Sequence, residues 1–306
     1  MLRVESALPA ESPRSVVGIG KFEAIHLGHQ QLIHDLITAA EEQMLAAGVI
    51  TFDRHPNVVL NPAKVPNPII GQTQKNRLLE ELGLDFVKTL HFDRALADLS
   101  PEEFVSTHLM PLRPELVLVG TGFRFGRGGS GDIAVLKQLG KTHGFVAKEV
   151  ANVMIGEQKI SASLIRELLD IGSVAEANVL LGRNHATEGL VEHGRKLGRE
   201  LGFPTANIAR DAEGYLPADG IYAGYLYADG VRYPAAHSVG TNDSVEEVPR
   251  LLESHVIGRD DLDLYDKTVR CEYVEQVRGW AKFDSLEQLT EQIAADVAKA
   301  SELLGL

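Results

Sequence analysis

Two histidines flank a glycine where a strand pattern gives way to a helical pattern. His26, Gly28 and His29 form the motif His-x-Gly-His, and Gly20 and Phe22 precede them in the same loop. Amide groups at a helix N-terminus favour anions, glycine lets the backbone come close, and imidazoles hydrogen-bond phosphate oxygens. These residues therefore predict a phosphate-binding loop, with His26 and His29 as catalytic candidates. On its own, the motif is equally typical of a helix cap with two surface histidines.

A second set of phosphate-binding candidates lies at residues 160–166. Ser161 and Ser163 supply hydroxyl groups and Arg166 supplies a guanidinium near the expected start of a helix. Such groups suit the two phosphates that leave as pyrophosphate, although an N-cap with an exposed arginine is the commoner meaning. Together with the histidine motif, the segment resembles the nucleotidyltransferase superfamily. The resemblance implies that one substrate's phosphate attacks the α-phosphate of ATP, which needs positioning and charge neutralisation rather than a nucleophilic side chain.

Two further loops narrow the resemblance to a family. Residues 51–56 (T-F-D-R-H-P) and 123–126 (F-R-F-G) resemble the FAD synthetase half of the prokaryotic bifunctional riboflavin kinase/FMN adenylyltransferase family. A polar turn after a strand is the alternative interpretation of residues 53–56. The flavin-binding positions that the resemblance implies are Asp53, His55, Phe123 and Phe125.

The segment 201–207, Leu-Gly-Phe-Pro-Thr-Ala-Asn, is the most specific string in the chain. It resembles the G-F-P-T-A-N motif of the same family and of stand-alone riboflavin kinases. The resemblance implies that Thr205 and Asn207 help to bind Mg²⁺–ATP, and Mg²⁺ takes oxygen ligands that it shares with phosphates and water. Upstream, Gly198 and Arg199 indicate a glycine-containing phosphate loop, although a charged hairpin turn is the commoner meaning of such a segment.

Glu253 is the candidate general base of a kinase reaction. It matches the glutamate that the family uses in a strand of the type E-x-H, and a carboxylate suits removal of the proton from riboflavin's terminal ribityl hydroxyl. A surface glutamate at a strand edge is the alternative. His255 would face the same side of the strand, and the sequence indicates no role for it.

Several positions depart from the family pattern. Glu23 and Ala24 replace an aspartate and a glycine, Gly122 replaces an asparagine or aspartate, and residues 243–245 and 280–281 also differ. A tolerant lineage, a changed nucleotide or flavin specificity, and one weakened activity all remain open. A flavin-nucleotide binding regulator is a further alternative, which the retained general base disfavours.

The predicted secondary structure, which must position these residues, differs between the two halves of the chain. In the first half, strand and helix patterns alternate, which predicts a parallel, doubly wound α/β sheet of the nucleotidyltransferase type. Ligands bind such sheets beyond the carboxyl ends of the strands, where residues 18–29 and 120–131 form glycine-containing loops. Strands are predicted at residues 15–19, 48–52, 86–90 and 115–119, and helices at 30–47, 73–82 and 101–109.

The second half contains short β-runs with turn signals and ends in an amphipathic helix at residues 285–304. This pattern of short strands and turns predicts an antiparallel riboflavin-kinase barrel with a terminal helix. The predicted domains are 1–183, an FMN adenylyltransferase, and 184–306, a riboflavin kinase. The β-runs lie at residues 189–192, 220–226, 231–237, 253–257 and 267–274.

Composition limits the function classes. The chain has 306 residues and a net charge of −13, which disfavours a broad nucleic-acid interface. The single cysteine, Cys271, excludes an intramolecular disulfide framework and multi-cysteine metal sites. No apolar run approaches the roughly 20 residues that span a bilayer, and the first residues do not resemble a signal peptide. We therefore expect a cytoplasmic protein that binds neither nucleic acid nor membrane. The family resemblance implies that it is an enzyme using riboflavin, FMN, ATP and Mg²⁺; oligomerisation is not predicted.

Overall fold

The computed structural model describes residues 1–193, 201–241 and 250–306. Contacts divide the chain into two units: Met1–Pro68 with Lys75–Ser161, and Ile69–Gln74 with Ala162–Leu306. The predicted domain boundary lies between residues 183 and 184. It implies that residues 184–306 fold by themselves, and it stays a prediction.

The first unit is built on a six-stranded sheet in which all neighbouring strands are parallel, in the order β1-β4-β3-β2-β5-β6. This arrangement confirms the predicted parallel α/β fold. Its strands are β1 (Leu2–Arg3), β2 (Ser15–Ile19), β3 (Ala46–Phe52), β4 (Phe86–Leu90), β5 (Pro114–Gly120) and β6 (Val146–Val150), and a hairpin of β7 (Met154–Ile155) and β8 (Gln158–Lys159) follows.

Helices alternate with these strands along the chain. They are α1 (Leu27–Glu42), α2 (Asn57–Leu60), α3 (Gln72–Glu81), α4 (Arg94–Asp98), α5 (Pro101–Phe104), which continues as a π-helical turn at Val105–Leu109, and α6 (Ile133–His143). Helix α1 buries an apolar stripe of Leu32, Ile33, Leu36 and Ala40, as its spacing predicts. The helix predicted at 30–47 runs too far, because the apolar residues from Ala46 onward belong to the buried strand β3.

The strand order places the topological switch point at β2. The chain moves from β2 to β3 on one side, whereas β5 lies on the other side of β2. Loops that follow β3, β2 and β5 therefore emerge at the carboxyl ends of three adjacent parallel strands, the usual ligand-binding edge of such a sheet. These loops carry the histidine motif and the flavin-binding candidates.

The second unit contains a closed antiparallel barrel in the order β10-β13-β12-β11-β14-β9, which confirms the predicted barrel. Strand β10, which the sequence did not predict as a strand, is only four residues long. The strands are β9 (His185–Glu192), β10 (Thr205–Ile208), β11 (Gly220–Ala228), β12 (Val231–Gly240), β13 (Leu251–Val256) and β14 (Thr268–Gly279).

Within the described ranges of this unit, three helices accompany the barrel: α7 (Ala162–Asp170), α8 (Val174–Leu181) and the terminal helix α9 (Leu286–Leu304). Helix α9 buries Ala300 against Ala223 and Ala236 on the outside of the barrel. Helix α8 is tied to strand β14, because the Asn178 side-chain amide donates to the Tyr273 carbonyl at 2.8 Å.

Candidate functional site

The loop after β2 ends in the histidine motif. His26 is the N-cap of α1, and its Nδ1 accepts a hydrogen bond from the His29 N–H at 3.4 Å. The two imidazoles stack with centroids 3.9 Å apart. A Cβ on Gly28 would lie 3.1 Å from the His26 ring, so glycine leaves room for that ring. Because Nδ1 accepts, a neutral His26 carries its proton on Nε2, which can donate to an anion.

Gly20 and Phe22 lie in the same loop, before the histidine motif, and help to fix its conformation. Phe22 is fully buried at a positive φ of 47°, and its ring centroid lies 5.2 Å from that of His29. A Cβ on Gly20 would meet the Phe22 ring at 3.1 Å. Positive φ also occurs at Ile25 but not at Ala24. The replacement of glycine by Ala24 therefore places no side chain in left-handed backbone.

The loop after β3 holds Asp53 and His55. Asp53 accepts hydrogen bonds from the Phe92 N–H at 3.0 Å and from His91 Nδ1 at 2.6 Å. Burial acts to raise the pKa of Asp53, but the bonds from Phe92, His91 and Arg54 outweigh it, and the pKa is lowered. Asp53 is thus an anchored carboxylate that joins the loops after β3 and β4.

His55 lies close to the first loop, because its Nε2 is 3.3 Å from Lys21 Nζ. Its Nδ1 accepts a hydrogen bond from the Asn57 N–H at 3.1 Å. The imidazole is therefore fixed to its own backbone through Nδ1 and lies beside the loop after β2.

Lys75, in α3, is a residue that sequence analysis missed. Its side chain is buried, and Nζ donates to the carbonyls of Phe52 at 3.0 Å and Lys21 at 3.4 Å. Burial lowers the pKa of Lys75 to about 8, against the opposing effect of Glu23 and Asp53. A lysine within a helical pattern predicts an exposed side chain, so no local signal marks this position.

The loop after β5 carries Phe123 and Phe125, whose rings stack with centroids 5.4 Å apart. Phe125 belongs to the hydrophobic core and Phe123 packs against that core while staying partly exposed. Gly122 has a φ of 80°, and a Cβ there would meet nothing within 4 Å. Asparagine tolerates left-handed backbone better than most residues, so Gly122 keeps the loop conformation and lacks only the side chain.

Ser161 immediately precedes α7, whose first turns contain Ser163 and Arg166. Ser163 is exposed, whereas Ser161 and Arg166 are half-buried. Arg166 acts electrostatically on the Tyr215 hydroxyl, which donates to Asp170 at 2.6 Å. Ser163 and Arg166 belong to the second unit and the histidine motif to the first.

Glu253 lies in β13 between two neighbouring strands of the barrel. It pairs with Asn207 on β10 and with Ser238 on β12. Side chains directly opposite in an antiparallel pair lie on the same face, about 4.5–5.5 Å apart at Cβ. All three are partly exposed, and the alternate residues Leu252 and Ser254 point into the barrel. Glu253 therefore faces outward beside an amide and a hydroxyl.

Thr205 extends the same face by one residue pair. It pairs with His255, and Thr205 and Asn207 stand two residues apart on β10. His255 Nδ1 donates to the Pro204 carbonyl at 2.9 Å, and its ring packs edge-on against Phe203. His255 thus holds the Phe-Pro-Thr segment against β13, a role that the sequence did not indicate.

Two sets of predicted positions lie outside the described residues. These are the phosphate-loop candidates Gly198 and Arg199 and the departures at residues 243–245. Among the residues that the structure describes, no three His, Cys, Asp or Glu side chains form a metal-binding cluster. None of the described helices combines the length and apolar character needed to cross a membrane.

Comparison with known proteins matches two different families to two successive parts of the chain. The FAD synthetase family model matches residues 8–164, and the riboflavin kinase family model matches residues 181–304. The bifunctional riboflavin kinase/FMN adenylyltransferase of Escherichia coli K12 is 33% identical over 95% of this chain and 93% of its own length. The Bacillus subtilis protein of the same name is 32% identical over 95% of this chain and 92% of its own.

A solved structure is also similar over nearly the whole chain. It is described as a macrolide-efflux protein from Streptococcus pneumoniae and superposes with a TM-score of 0.87 at 30% identity, covering 96% of each chain.

Proposed function

The chain belongs to the family of bifunctional riboflavin kinase/FMN adenylyltransferases, and we propose that it makes FMN and FAD in two ATP-dependent steps. The observation that carries the proposal is the match of both family models, each over the part of the chain that contains the corresponding motifs. The cytoplasm is the proposed location, since both steps consume ATP. Riboflavin, FMN and ATP are the proposed ligands.

In the adenylylation step, a phosphate oxygen of FMN attacks the α-phosphate of ATP. A new P–O–P bond forms, the bond between the α- and β-phosphates breaks, and pyrophosphate leaves. The FMN phosphate is already anionic at neutral pH, so no base is needed. The acceleration comes from positioning and charge neutralisation, which we assign to the α1 N-terminus with His26 and His29.

The other candidates of this step take supporting parts. We assign Ser161, Ser163 and Arg166 to the leaving pyrophosphate, because hydroxyls and a guanidinium suit its oxygens. Phe123, with its partly exposed ring, is the flavin contact that we favour, and buried Phe125 supports it. Asp53 joins the loops after β3 and β4, and His55 lies beside the loop after β2.

In the kinase step, the terminal ribityl hydroxyl of riboflavin attacks the γ-phosphate of a second ATP. Glu253 takes the hydroxyl proton as the new O–P bond forms, and ADP leaves. The support for Glu253 is its outward position between Asn207 and Ser238. An ordinary surface glutamate need not have a polar side chain opposite it on both neighbouring strands.

Thr205 and Asn207 fit the Mg²⁺ that would accompany ATP. Both offer neutral oxygen atoms on one partly exposed face, and Mg²⁺ prefers oxygen ligands, usually phosphates and water beside few protein groups. Such an ion would draw charge from the phosphates and help them to accept the incoming oxygen.

The deciding experiment incubates the full chain with riboflavin, ATP and Mg²⁺ and separates FMN and FAD by chromatography. We expect both products, with FMN preceding FAD. FMN without FAD would favour the weakened-half alternative, and restoring Asp at 23, Gly at 24 and Asn at 122 would then test whether those departures caused the loss. Formation of neither product, from riboflavin or from supplied FMN, would refute the proposal.

A further inference from the structure

Trp280 is an exposed indole that the proposed chemistry leaves unused. It is the only tryptophan of the chain, directly follows β14, and keeps 57% of its surface exposed. Tryptophan is enriched at binding surfaces, because its large ring contributes much apolar contact area and its N–H can meet a polar partner.

The indole lies on the same face of the barrel as Glu253. A Cβ built on Gly240 would be 3.2 Å from Cδ1 and 3.7 Å from Nε1 of Trp280, so the ring lies on the side to which residue 240 would point. Gly240 is two residues beyond Ser238 on β12, and residues two apart in a strand share a face. Ser238 is the cross-strand partner of Glu253.

Glu253 stands between Trp280 and the residues proposed for Mg²⁺–ATP. Thr205 pairs with His255, two residues beyond Glu253 on β13, whereas Gly240 pairs with Leu251, two residues before it. Two residues of an antiparallel strand span about 7 Å. The phosphate donor and the indole are thus on opposite sides of the proposed base.

The end of β14 is held firmly in this position. Arg278 binds the buried carboxylate of Asp296 in α9 through two contacts of 2.8 Å, one from Nε and one from a terminal nitrogen. Next to Gly240, the Asp219 carboxylate binds Arg250 Nε at 2.5 Å. The Arg278 contacts fix the end of the strand that carries Trp280, and a fixed backbone lowers the conformational freedom lost when a ligand stacks on the ring.

We propose that Trp280 stacks on the isoalloxazine ring of riboflavin bound at the Glu253 face. This inference rests on the proposed kinase function and names a contact within it. Riboflavin is a flat aromatic ring on a five-carbon chain, and its reacting hydroxyl is at the far end of that chain. With the hydroxyl at Glu253, an extended chain directed away from Thr205 brings the ring to Gly240 and Trp280.

Variants of Trp280 test the contact in the full chain. Ring stacking on an aromatic residue predicts that Trp280→Ala weakens riboflavin binding about 5- to 100-fold. The KM for riboflavin should rise by a similar factor, while the KM for ATP and the kcat stay within about twofold. Trp280→Phe should restore most of the affinity. Val231→Ala removes an exposed apolar side chain at the start of β12 and serves as the matched control, with no change.

A spectroscopic measurement tests the contact without a variant. Riboflavin titrated into the wild-type chain without ATP should lose its own fluorescence on binding, because an indole in contact with a flavin quenches it by electron transfer. Bound riboflavin should recover fluorescence in Trp280→Phe. Mg²⁺–ATP alone should leave the emission of Trp280 nearly unchanged.

Three results would overturn the inference. Trp280→Ala with the wild-type KM for riboflavin and normal FMN formation would remove Trp280 from the flavin site and leave the kinase function standing. A response of Trp280 emission to Mg²⁺–ATP but not to riboflavin would assign the indole to the nucleotide. A wild-type chain that neither binds riboflavin nor forms FMN would refute both this contact and the kinase function.

Discussion

Lys75 offers the sharpest perturbation of the adenylyltransferase half. Its ammonium joins the loops after β2 and β3 by donating to the carbonyls of Lys21 and Phe52. Lys75→Met keeps the approximate length and apolar stem of the side chain and removes the charge and the donors. We expect FAD formation from FMN to fall by at least about tenfold, because the two loops lose their shared cation. FMN formation from riboflavin should not change.

The magnitude for stability follows from the pKa. Burial lowers the pKa of Lys75 from 10.5 to about 8, and Glu23 and Asp53 only partly oppose it. Between these values the unfolded chain holds a proton that the folded chain has released, so stability rises with pH across this window. The difference corresponds to about 3 kcal/mol, and below pH 8 the folded protein carries the full cost of the buried charge.

Activity should change with pH in the opposite direction. FAD formation in the wild type should decline above pH 8 as Lys75 loses its charge between Glu23 and Asp53. In Lys75→Arg, which stays charged, that decline should move to higher pH.

The assay compares urea unfolding of the wild type and Lys75→Met between pH 7 and 10. Circular dichroism follows both units, whereas fluorescence of Trp280 follows only the second. Relative to Lys75→Met, the wild type should become more stable as the pH rises from 8 to 10. Lys88→Met is the matched control, because Lys88 is also buried and bound to two carbonyls, those of Ser6 and His108. It should alter stability and leave FAD turnover intact.

Normal FAD kinetics in Lys75→Met, with the same pH profile as the wild type, would refute the assignment of Lys75 to this site. Equal losses of FAD turnover in the Lys75 and Lys88 variants would show that both residues affect turnover only by stabilising the fold.

Three further outcomes are expected. Glu253→Gln should keep riboflavin and ATP binding but reduce kinase turnover roughly 10²- to 10⁴-fold, with FAD formation from supplied FMN unaffected; unchanged turnover would return Glu253 to an ordinary surface carboxylate. His26→Ala should reduce FAD formation on the order of 10²- to 10³-fold, as loss of one transition-state donor does, and leave FMN formation unchanged; an equal effect on both products would indicate misfolding. The fragment 184–306 should form FMN, and 162–306 should do so with a higher Tm, because it retains the bond from Asn178 to β14; a soluble but inactive 184–306 beside an active 162–306 would move the domain boundary.

Local patterns were sufficient for much of the fold. Strands at residues 15–19 and 86–90 were predicted with their observed bounds, because short buried runs end at glycine or polar residues. The sequence patterns failed at two places, an apolar stretch shared by a helix and a strand, and a strand only four residues long. The helix predicted at 30–47 ran into β3, and β10 was hidden inside a motif of Phe, Pro and Thr.

The sequence by itself determined the chemistry of the groups: a histidine pair at a helix start, a carboxylate in a strand, and the order of an α/β half before a barrel half. Only the tertiary structure decided which groups meet. The burial of Lys75 beneath two loops, the position of Glu253 between Asn207 and Ser238, and the indole of Trp280 over Gly240 each join residues distant in the chain. Periodicity and motif spacing describe neighbours along the backbone, whereas these contacts depend on strand order and register, which long-range packing sets.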